Sequence, residues 1–190
     1  MKVRSTAKLK AGLAFGVFAA ILIVLSALPS APQQVPSPSD VVWPKTFASL
    51  DPVGRGSQFQ IAVVAKIRSG FHINAREKSE DYLIATDLQA AVPAGFQAGE
   101  VAYPKGALHT FTFSKKPLNV YEDTITLRMP VTALPNAPVG AQHIPLKLRY
   151  QACSTEICLP PVTLKLDATV NVAASTSESK PANSEVFRER

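Results

Sequence analysis

Four stretches of this 190-residue chain alternate between apolar and polar side chains, and this period of two is the strongest constraint on its fold. A β-strand places successive side chains on opposite faces of a sheet, so the pattern predicts antiparallel strands that are buried on one face. The apolar positions of the four stretches are Phe59, Ile61, Val63, Ala65 and Ile67, followed by alternate positions of residues 125–131, 144–150 and 162–172.

Proline and turn signals support an all-β chain. The sequence has 16 prolines against nine glycines, which disfavours long helices. Shorter strand candidates are residues 70–74, 82–88, 96–101 and 108–113. Roughly seven to nine short strands in about 130 residues predict an antiparallel β-sandwich, with a barrel as the alternative. Because proline cannot donate to a strand ladder, Pro130 and Pro145 are expected on edge strands or at bulges.

The charge is uneven and argues against nucleic-acid binding. The formal net charge is +6, but Lys2, Arg4, Lys8 and Lys10 all precede the first acidic residue. The rest of the chain carries 16 basic and 14 acidic residues. No run of Lys and Arg with interleaved aromatic residues follows, so the electrostatic signature of a nucleic-acid partner is missing from the sequence.

These four positive charges introduce an uncharged segment, residues 11–28, in which Ser26 is the one polar residue. As a helix it would be about 27 Å long, close to the roughly 30 Å of a hydrocarbon core. The layout predicts that residues 1–29 form a signal anchor or a cleaved signal peptide, and both export the remainder of the chain.

The domain organisation follows from changes in composition. Residues 30–40 are rich in Pro and Ser and are predicted to be an extended linker. The folded domain is predicted at 41–173. Trp43 is expected to pack its first strand onto the sandwich. The polar residues 174–190 are predicted to be a disordered tail.

Both cysteines lie between the third and fourth alternating strands, where Cys153 and Cys158 can face each other across a hairpin. Opposed strand residues have Cβ atoms about 4.5–5.5 Å apart, near the distance a disulfide needs. A disulfide that closes so short a loop is worth roughly 2 kcal/mol, which is little for a structural staple. No basic residue between the cysteines lowers a thiol pKa, and Glu156 opposes it. A redox-active pair, a structural disulfide and a metal site completed by His72, His109 or His143 all remain open at this point.

The cysteine block resembles a known family. It is similar to the periplasmic N-terminal domain of the thiol:disulfide interchange protein DsbD, and the similarity extends over about residues 47–172. The stretches that carry the resemblance are YQACSTEICLPP at 150–161, GFHIN at 70–74, DYLIATDL at 81–88, VAYP at 101–104 and VYE at 120–122.

The resemblance implies an immunoglobulin-like β-sandwich with a redox-active cysteine pair and no cofactor or metal. It implies that Cys158 forms the mixed disulfide and that Cys153 resolves it. The chain has no multi-helix membrane domain or thioredoxin-like domain, so we expect a separate membrane reductase as electron donor. Oxidised periplasmic proteins are the expected recipients, and the domain is expected on the periplasmic side of the inner membrane as a protein-disulfide reductase component. The alternative is a non-catalytic interaction module with a structural disulfide.

The family also shields its cysteines with a loop that bears an aromatic residue. Residues 109–118 match that loop, and Phe111 or Phe113 is the candidate capping ring, unless both are core strand residues. The further candidates near the site, which could equally be core residues, are Tyr103, Tyr121 and Tyr150. His72 and Asn74 are expected to make structural hydrogen bonds.

Overall fold

The computed structural model describes residues 35–188. The predicted signal segment, residues 1–29, and the first five residues of the predicted linker, 30–34, lie outside the described residues. Within the described range, no helix has the length and apolar character needed to cross a membrane.

The described residues form twelve strands in three four-stranded sheets. The first sheet has the order β1 (Val42–Ala48), β3 (Gln58–Ile67), β9 (Thr124–Ala133), β6 (Phe96–Ala98). The second has the order β2 (Val53–Gly54), β12 (Val162–Ala173), β10 (Gly140–Tyr150), β5 (Asp87–Ala90). The third has the order β11 (Ala152–Cys153), β4 (His72–Asn74), β8 (Leu118–Tyr121), β7 (Ala107–His109). All neighbouring strands are antiparallel except β2 and β12.

The main core lies between the first two sheets, as the alternating pattern predicts. The inward residues of β3 and β9 join those of β10 and β12 in one buried apolar cluster. Ile61, Leu127 and Ile144 are each at most 1% exposed. In β12 the inward residues are fully buried only in the second half of the strand, whereas Leu164 and Leu166 keep partial contact with solvent. The all-β, sandwich-like prediction is therefore confirmed.

The two strand prolines do not lie on edge strands. Both β9 and β10 are flanked by neighbours on each side. The carbonyl of Pro130 accepts from Gly99 N, and that of Pro145 accepts from Ala91 N. The nitrogen and the carbonyl of a strand residue point to the same side. The nitrogen of Pro130 therefore faces β6, and that of Pro145 faces β5. In both cases the proline lies one residue outside the part of the neighbouring strand that is paired. The missing N–H therefore costs no ladder bond.

Two local expectations were wrong. The shorter strand candidates are only partly strands: 82–88 from Asp87 onward, 96–101 as far as Ala98, and 108–113 as far as His109. Trp43 does not seal β1, because its neighbour Val42 takes the inward position and leaves the indole 49% exposed.

The predicted disordered tail, residues 174–190, is ordered as far as residue 188. It forms a 3₁₀ turn at Thr176–Glu178 and a short helix at Ser184–Phe187. Its backbone bonds to residues 49–52, and Ser179 Oγ accepts from Gly54 N at 2.8 Å. A Cβ on Gly54 would lie 2.1 Å from Ser175 O, so this close approach needs glycine. The polar composition of this segment was misleading, because its polar groups form hydrogen bonds with the backbone of the sandwich.

Candidate redox site

A tight hairpin carries the two cysteines. Ser154 N donates to Ile157 O at 2.8 Å, and Leu159 N donates to Ala152 O at 2.8 Å. Ser154 Oγ also accepts from Glu156 N and Ile157 N, both at 3.1 Å, which fixes the tip. Cys153 and Cys158 face each other with their Cα atoms 4.0 Å apart and form a disulfide. The pairing expected from the hairpin geometry is present.

The two halves of this disulfide have different surroundings. Cys153 ends β11 and is 1% exposed, whereas Cys158 lies on the return arm and is exposed. Thiol–disulfide exchange requires an incoming thiolate to reach one sulfur while the other departs. The exposed side of the bridge is therefore the side of Cys158.

Strand β4 places a histidine directly beside the buried cysteine. The register of β4 and β11 pairs His72 with Cys153 and Ile73 with Ala152. A turn from Arg68 to Phe71, with Gly70 at a φ of 80°, brings the chain from β3 into β4. Only glycine adopts this φ without strain.

Alternation in the third sheet gives it two buried faces. Ile73, Tyr121 and Ala152 belong to the main core. The neighbouring positions on the other side include His72 and Cys153, both at most 2% exposed. We call this second side the cysteine face. Its apolar cover is a separate cluster formed by Leu83, Phe111, Leu118 and Val120.

An aromatic stack closes the cysteine face. The rings of His72 and Phe111 are stacked with centroids 4.2 Å apart. Phe113 stacks on Phe111 at 5.2 Å and is 44% exposed, so it forms the outer layer. Both phenylalanines lie in the loop between β7 and β8, residues 110–117, and neither belongs to a strand. Phe111, 8% exposed, is the inner ring and covers His72 directly.

His72 is buried without a hydrogen-bond partner at Nε2 among residues 35–188. Burial lowers the pKa of His72 to about 4, and the nearby His109 contributes in the same direction. Asn74, two residues along the same face, donates from Nδ2 to Ile84 O at 3.1 Å, but its Oδ1 is unpaired. The expectation of structural hydrogen bonding therefore holds for the Asn74 amide nitrogen and is wrong for His72 Nε2.

Tyr103 and Tyr121 serve another part of the molecule. Tyr121 donates to Pro104 O at 2.9 Å and accepts from Arg76 N at 3.2 Å. Tyr103 accepts from Leu88 N at 2.9 Å, and burial raises the pKa of both phenols. They line an open cavity of about 670 Å³ beside Arg76, whose lining residues do not include either cysteine.

Tyr150 is a core residue. It is 0% exposed and donates its hydroxyl proton to Pro38 O at 2.7 Å. Burial raises the pKa of this phenol to about 12, so it stays neutral. Of the aromatic candidates, Phe111 and Phe113 are thus brought to the cysteine face, while the hydroxyls of the three tyrosines are engaged elsewhere.

The histidines weighed as metal ligands are dispersed. His143 Nδ1 lies 2.6 Å from Asp167 Oδ2, about 23 Å along β10 from its cysteine end. His109 Nδ1 lies 3.5 Å from Glu122 Oε1. Across residues 35–188, no three His, Cys, Asp or Glu side chains are grouped as metal ligands would be.

Sequence reasoning weighed His72 as a metal ligand or a structural hydrogen-bonding residue and did not pair it with Cys153. The pairing of β4 with β11 joins positions some eighty residues apart, and nothing local reveals that register. The usable signal was the alternation within residues 72–74, where an apolar residue stands between two polar ones. That pattern places His72 and Asn74 on one face together, opposite Ile73.

Comparison with known proteins identifies a family that covers most of the chain. The sequence model described as "Thiol:disulfide interchange protein DsbD, N-terminal" matches residues 39–169. The crystal structure of the Neisseria meningitidis DsbD N-terminal domain in the reduced form is 20% identical, with a TM-score of 0.46, over 72% of this chain and 90% of that one. The N-terminal periplasmic domain of ScsB from Proteus mirabilis is 12% identical, with a TM-score of 0.49, over 80% of this chain and 53% of that one. No match was found among curated protein sequences.

Proposed function

Because the chain belongs to the family of DsbD N-terminal domains, we propose that it is an exported thiol:disulfide exchange module that works through Cys153 and Cys158. The observation that carries this proposal is the asymmetry of the disulfide. One sulfur belongs to an exposed residue of the hairpin, and the other to a buried residue paired with His72, the histidine that stacks on Phe111. Such an arrangement directs an incoming thiolate to one sulfur and leaves the other as the leaving group, which suits a two-cysteine exchange reaction.

In the proposed reaction the exposed cysteine acts first. The Cys158 thiolate of the reduced domain attacks a partner disulfide, forms a mixed disulfide and displaces one partner thiolate. Cys153 then loses its proton and attacks the Cys158 sulfur, and the bond to the partner breaks. The partner leaves as a dithiol and the domain as a disulfide, so two electrons and two protons have passed to the partner.

Phe111 is the proposed capping ring. It covers the cysteine face through His72, and the outer Phe113 lies where an arriving protein would first make contact. Both rings sit in a loop, which can move without disturbing the sandwich. Exchange would then follow displacement of the loop by the partner.

The proposed electron donor is a separate membrane reductase, and the proposed recipients are oxidised periplasmic proteins. Family membership supports this arrangement, as does the basic and apolar character of residues 1–29, which would anchor or export the domain on the periplasmic side of the inner membrane. An immunoglobulin-like strand arrangement is the family's fold and agrees with the sandwich formed by the first two sheets.

The reduction potential of the disulfide tests this proposal. We expect a value of roughly −200 to −250 mV from equilibration with glutathione buffers, poised for exchange with protein partners. A value below about −300 mV is typical of a structural disulfide. That result would overturn the proposal in favour of a non-catalytic interaction module.

A further inference from the structure

We infer that His72 is a further residue of the exchange reaction: as a neutral imidazole it donates a hydrogen bond from Nε2 to the sulfur of Cys153 while that sulfur is a thiolate. This inference rests on the proposed function and adds a role that the cysteines alone do not supply. It concerns the buried half of the disulfide, for which the hairpin itself offers no stabilising group.

The strand register brings the two side chains together. His72 and Cys153 are directly opposed residues of β4 and β11, so their side chains leave the sheet on the same face. Opposed residues in an antiparallel pair have Cβ atoms about 4.5–5.5 Å apart, which puts an imidazole within reach of the neighbouring sulfur. Phe111 lies against the histidine ring at 4.2 Å and keeps it in place.

The unpaired nitrogen indicates what the histidine is for. A buried polar atom without a partner is costly, and such atoms are rare in native proteins. Within residues 35–188, His72 Nε2 has no partner while the cysteines are joined as a disulfide. A thiolate on Cys153 would supply the missing acceptor. The donor is thus positioned before the charge forms, as in other sites that stabilise a developing anion.

Burial decides which form of the imidazole is present. It holds the pKa of His72 at about 4, so the ring is neutral at pH 7 and carries one N–H. His72 therefore acts as a hydrogen-bond donor and does not supply a proton. The charged or titratable groups near it are Arg68 in the β3–β4 turn, His109 on β7, and Glu122 and Asp123 after β8.

The step in which this bond matters is the reduction of the disulfide. An incoming thiolate attacks the Cys158 sulfur and forms a new S–S bond with it. The Cys153–Cys158 bond breaks, and its electron pair leaves on Cys153 as a thiolate. No proton moves in this step, and solvent protonates Cys153 later. Because the barrier falls as the leaving thiol becomes more acidic, a donor to Cys153 accelerates the step.

The test compares two substitutions of the same histidine. His72→Leu removes the donor, and His72→Gln keeps an N–H donor on a side chain of similar reach. The rate at which dithiothreitol reduces the disulfide is measured at pH 7 for the full chain and both variants. Since a hydrogen bond to a charged group is involved, we expect His72→Leu to be about 10- to 100-fold slower and His72→Gln to stay within about threefold of wild type.

A matched control and a second readout complete the experiment. His143→Leu removes an exposed histidine that pairs with Asp167 on the second sheet, and it should leave the rate unchanged. In the Cys158→Ser background, the pKa of the Cys153 thiol is followed by thiolate absorbance. It should rise by about one to two units on His72→Leu and stay near its original value on His72→Gln.

Equal rates for wild type and His72→Leu would overturn the inference. So would equal slowing in the Leu and Gln variants together with an unchanged Cys153 pKa, because that result indicates packing. Both outcomes leave the proposed function standing if the wild-type potential lies in the exchange range. A wild-type potential below about −300 mV would instead remove the proposed function.

Discussion

Two added segments cover the sandwich in different ways: the C-terminal residues 174–188 and the loop of residues 110–117. Beneath the first, Ser57 is 7% exposed and its hydroxyl lies 2.7 Å from that of Ser179. Beneath the second, His72 is 2% exposed and stacks on Phe111, yet its Nε2 has no partner among the described residues. The C-terminal segment pairs the serine hydroxyl that it buries, although Nε of Arg128, whose Nη2 donates to Val186 O, has no partner among the described residues. The loop instead covers an unpaired histidine nitrogen with an aromatic ring.

This difference separates a structural contact from a site prepared for chemistry. Satisfied buried hydrogen bonds stabilise a fold, whereas an unsatisfied buried group costs stability and calls for an explanation, of which a catalytic or redox role is one. The C-terminal segment should therefore affect stability alone. The loop should affect both stability and the reactivity of the disulfide.

The largest expected effect comes from the cysteines. Cys158→Ala should abolish exchange with a partner disulfide, because the exposed nucleophile is lost. Cys153→Ala should accumulate a covalent complex, because nothing resolves the mixed disulfide. Non-reducing electrophoresis and mass spectrometry detect the complex. Exchange by the Cys153→Ala/Cys158→Ala double variant at the wild-type rate would refute the proposed function.

Phe111→Ala tests the contribution of the loop to stability and to the protection of Cys153. Removing this ring, which is 8% exposed, takes away the cover of His72 and a member of the second apolar cluster, at a cost of about 3 kcal/mol in the free energy of unfolding. Chemical denaturation measures the loss. Alkylation of the reduced Cys153 should also become faster. Phe113→Ala is the control, because this ring is 44% exposed and its removal should cost less than about 1 kcal/mol. Equal losses for both variants would contradict the assignment of Phe111 as the inner ring.

The pH dependence of stability should identify His72. Its pKa is about 4 in the folded protein and near 6.5 when unfolded, so the unfolded chain binds more protons between these values. The stabilisation is complete above pH 6.5 and is lost as pH falls towards 4. From pH 7 to pH 5 the free energy of unfolding should fall by about 2 kcal/mol through this residue.

Denaturation at both pH values, in wild type and His72→Gln, isolates this contribution. The variant should lack that part of the pH dependence. If its stability changed with pH as much as that of wild type, His72 would not be buried in its neutral form.

Ser179→Ala should give the smallest effect, and it tests whether the C-terminal segment contributes to stability alone. The hydroxyl accepts from Gly54 N and lies beside Ser57, so its loss should cost about 1 kcal/mol in unfolding free energy. The rate of disulfide reduction by dithiothreitol should not change. A slower rate would show that the two segments are energetically connected.

The long strands could be predicted because their signal is local. Each of β3, β9, β10 and β12 shows its alternation in its own sequence, and burial follows from that alternation alone. The close pairing of Cys153 with Cys158 could also be predicted, because only four residues separate them.

The remainder depends on contacts between distant parts of the chain. The three-residue strand β4 carries too little periodicity to fix its partner, so the position of His72 beside Cys153 had to come from the structure. The C-terminal residues are polar and unpatterned, but backbone hydrogen bonds to residues 49–52 order them. Composition shows that the segment has no apolar face, but it cannot show whether the backbone of the segment will form hydrogen bonds with another part of the chain.

The alternation of side chains along strand β4 has a consequence for how the sequence of such a protein can diverge in evolution. Its three residues alternate between the cysteine face and the main core, with His72 and Asn74 on the first and Ile73 on the second. Substitutions at 72 and 74 can alter the chemistry around the sulfurs while Ile73 preserves the packing of the sandwich. Substitutions can thus change the reactivity of the disulfide without changing the fold that holds it, although adjacent residues of the same strand determine the two properties.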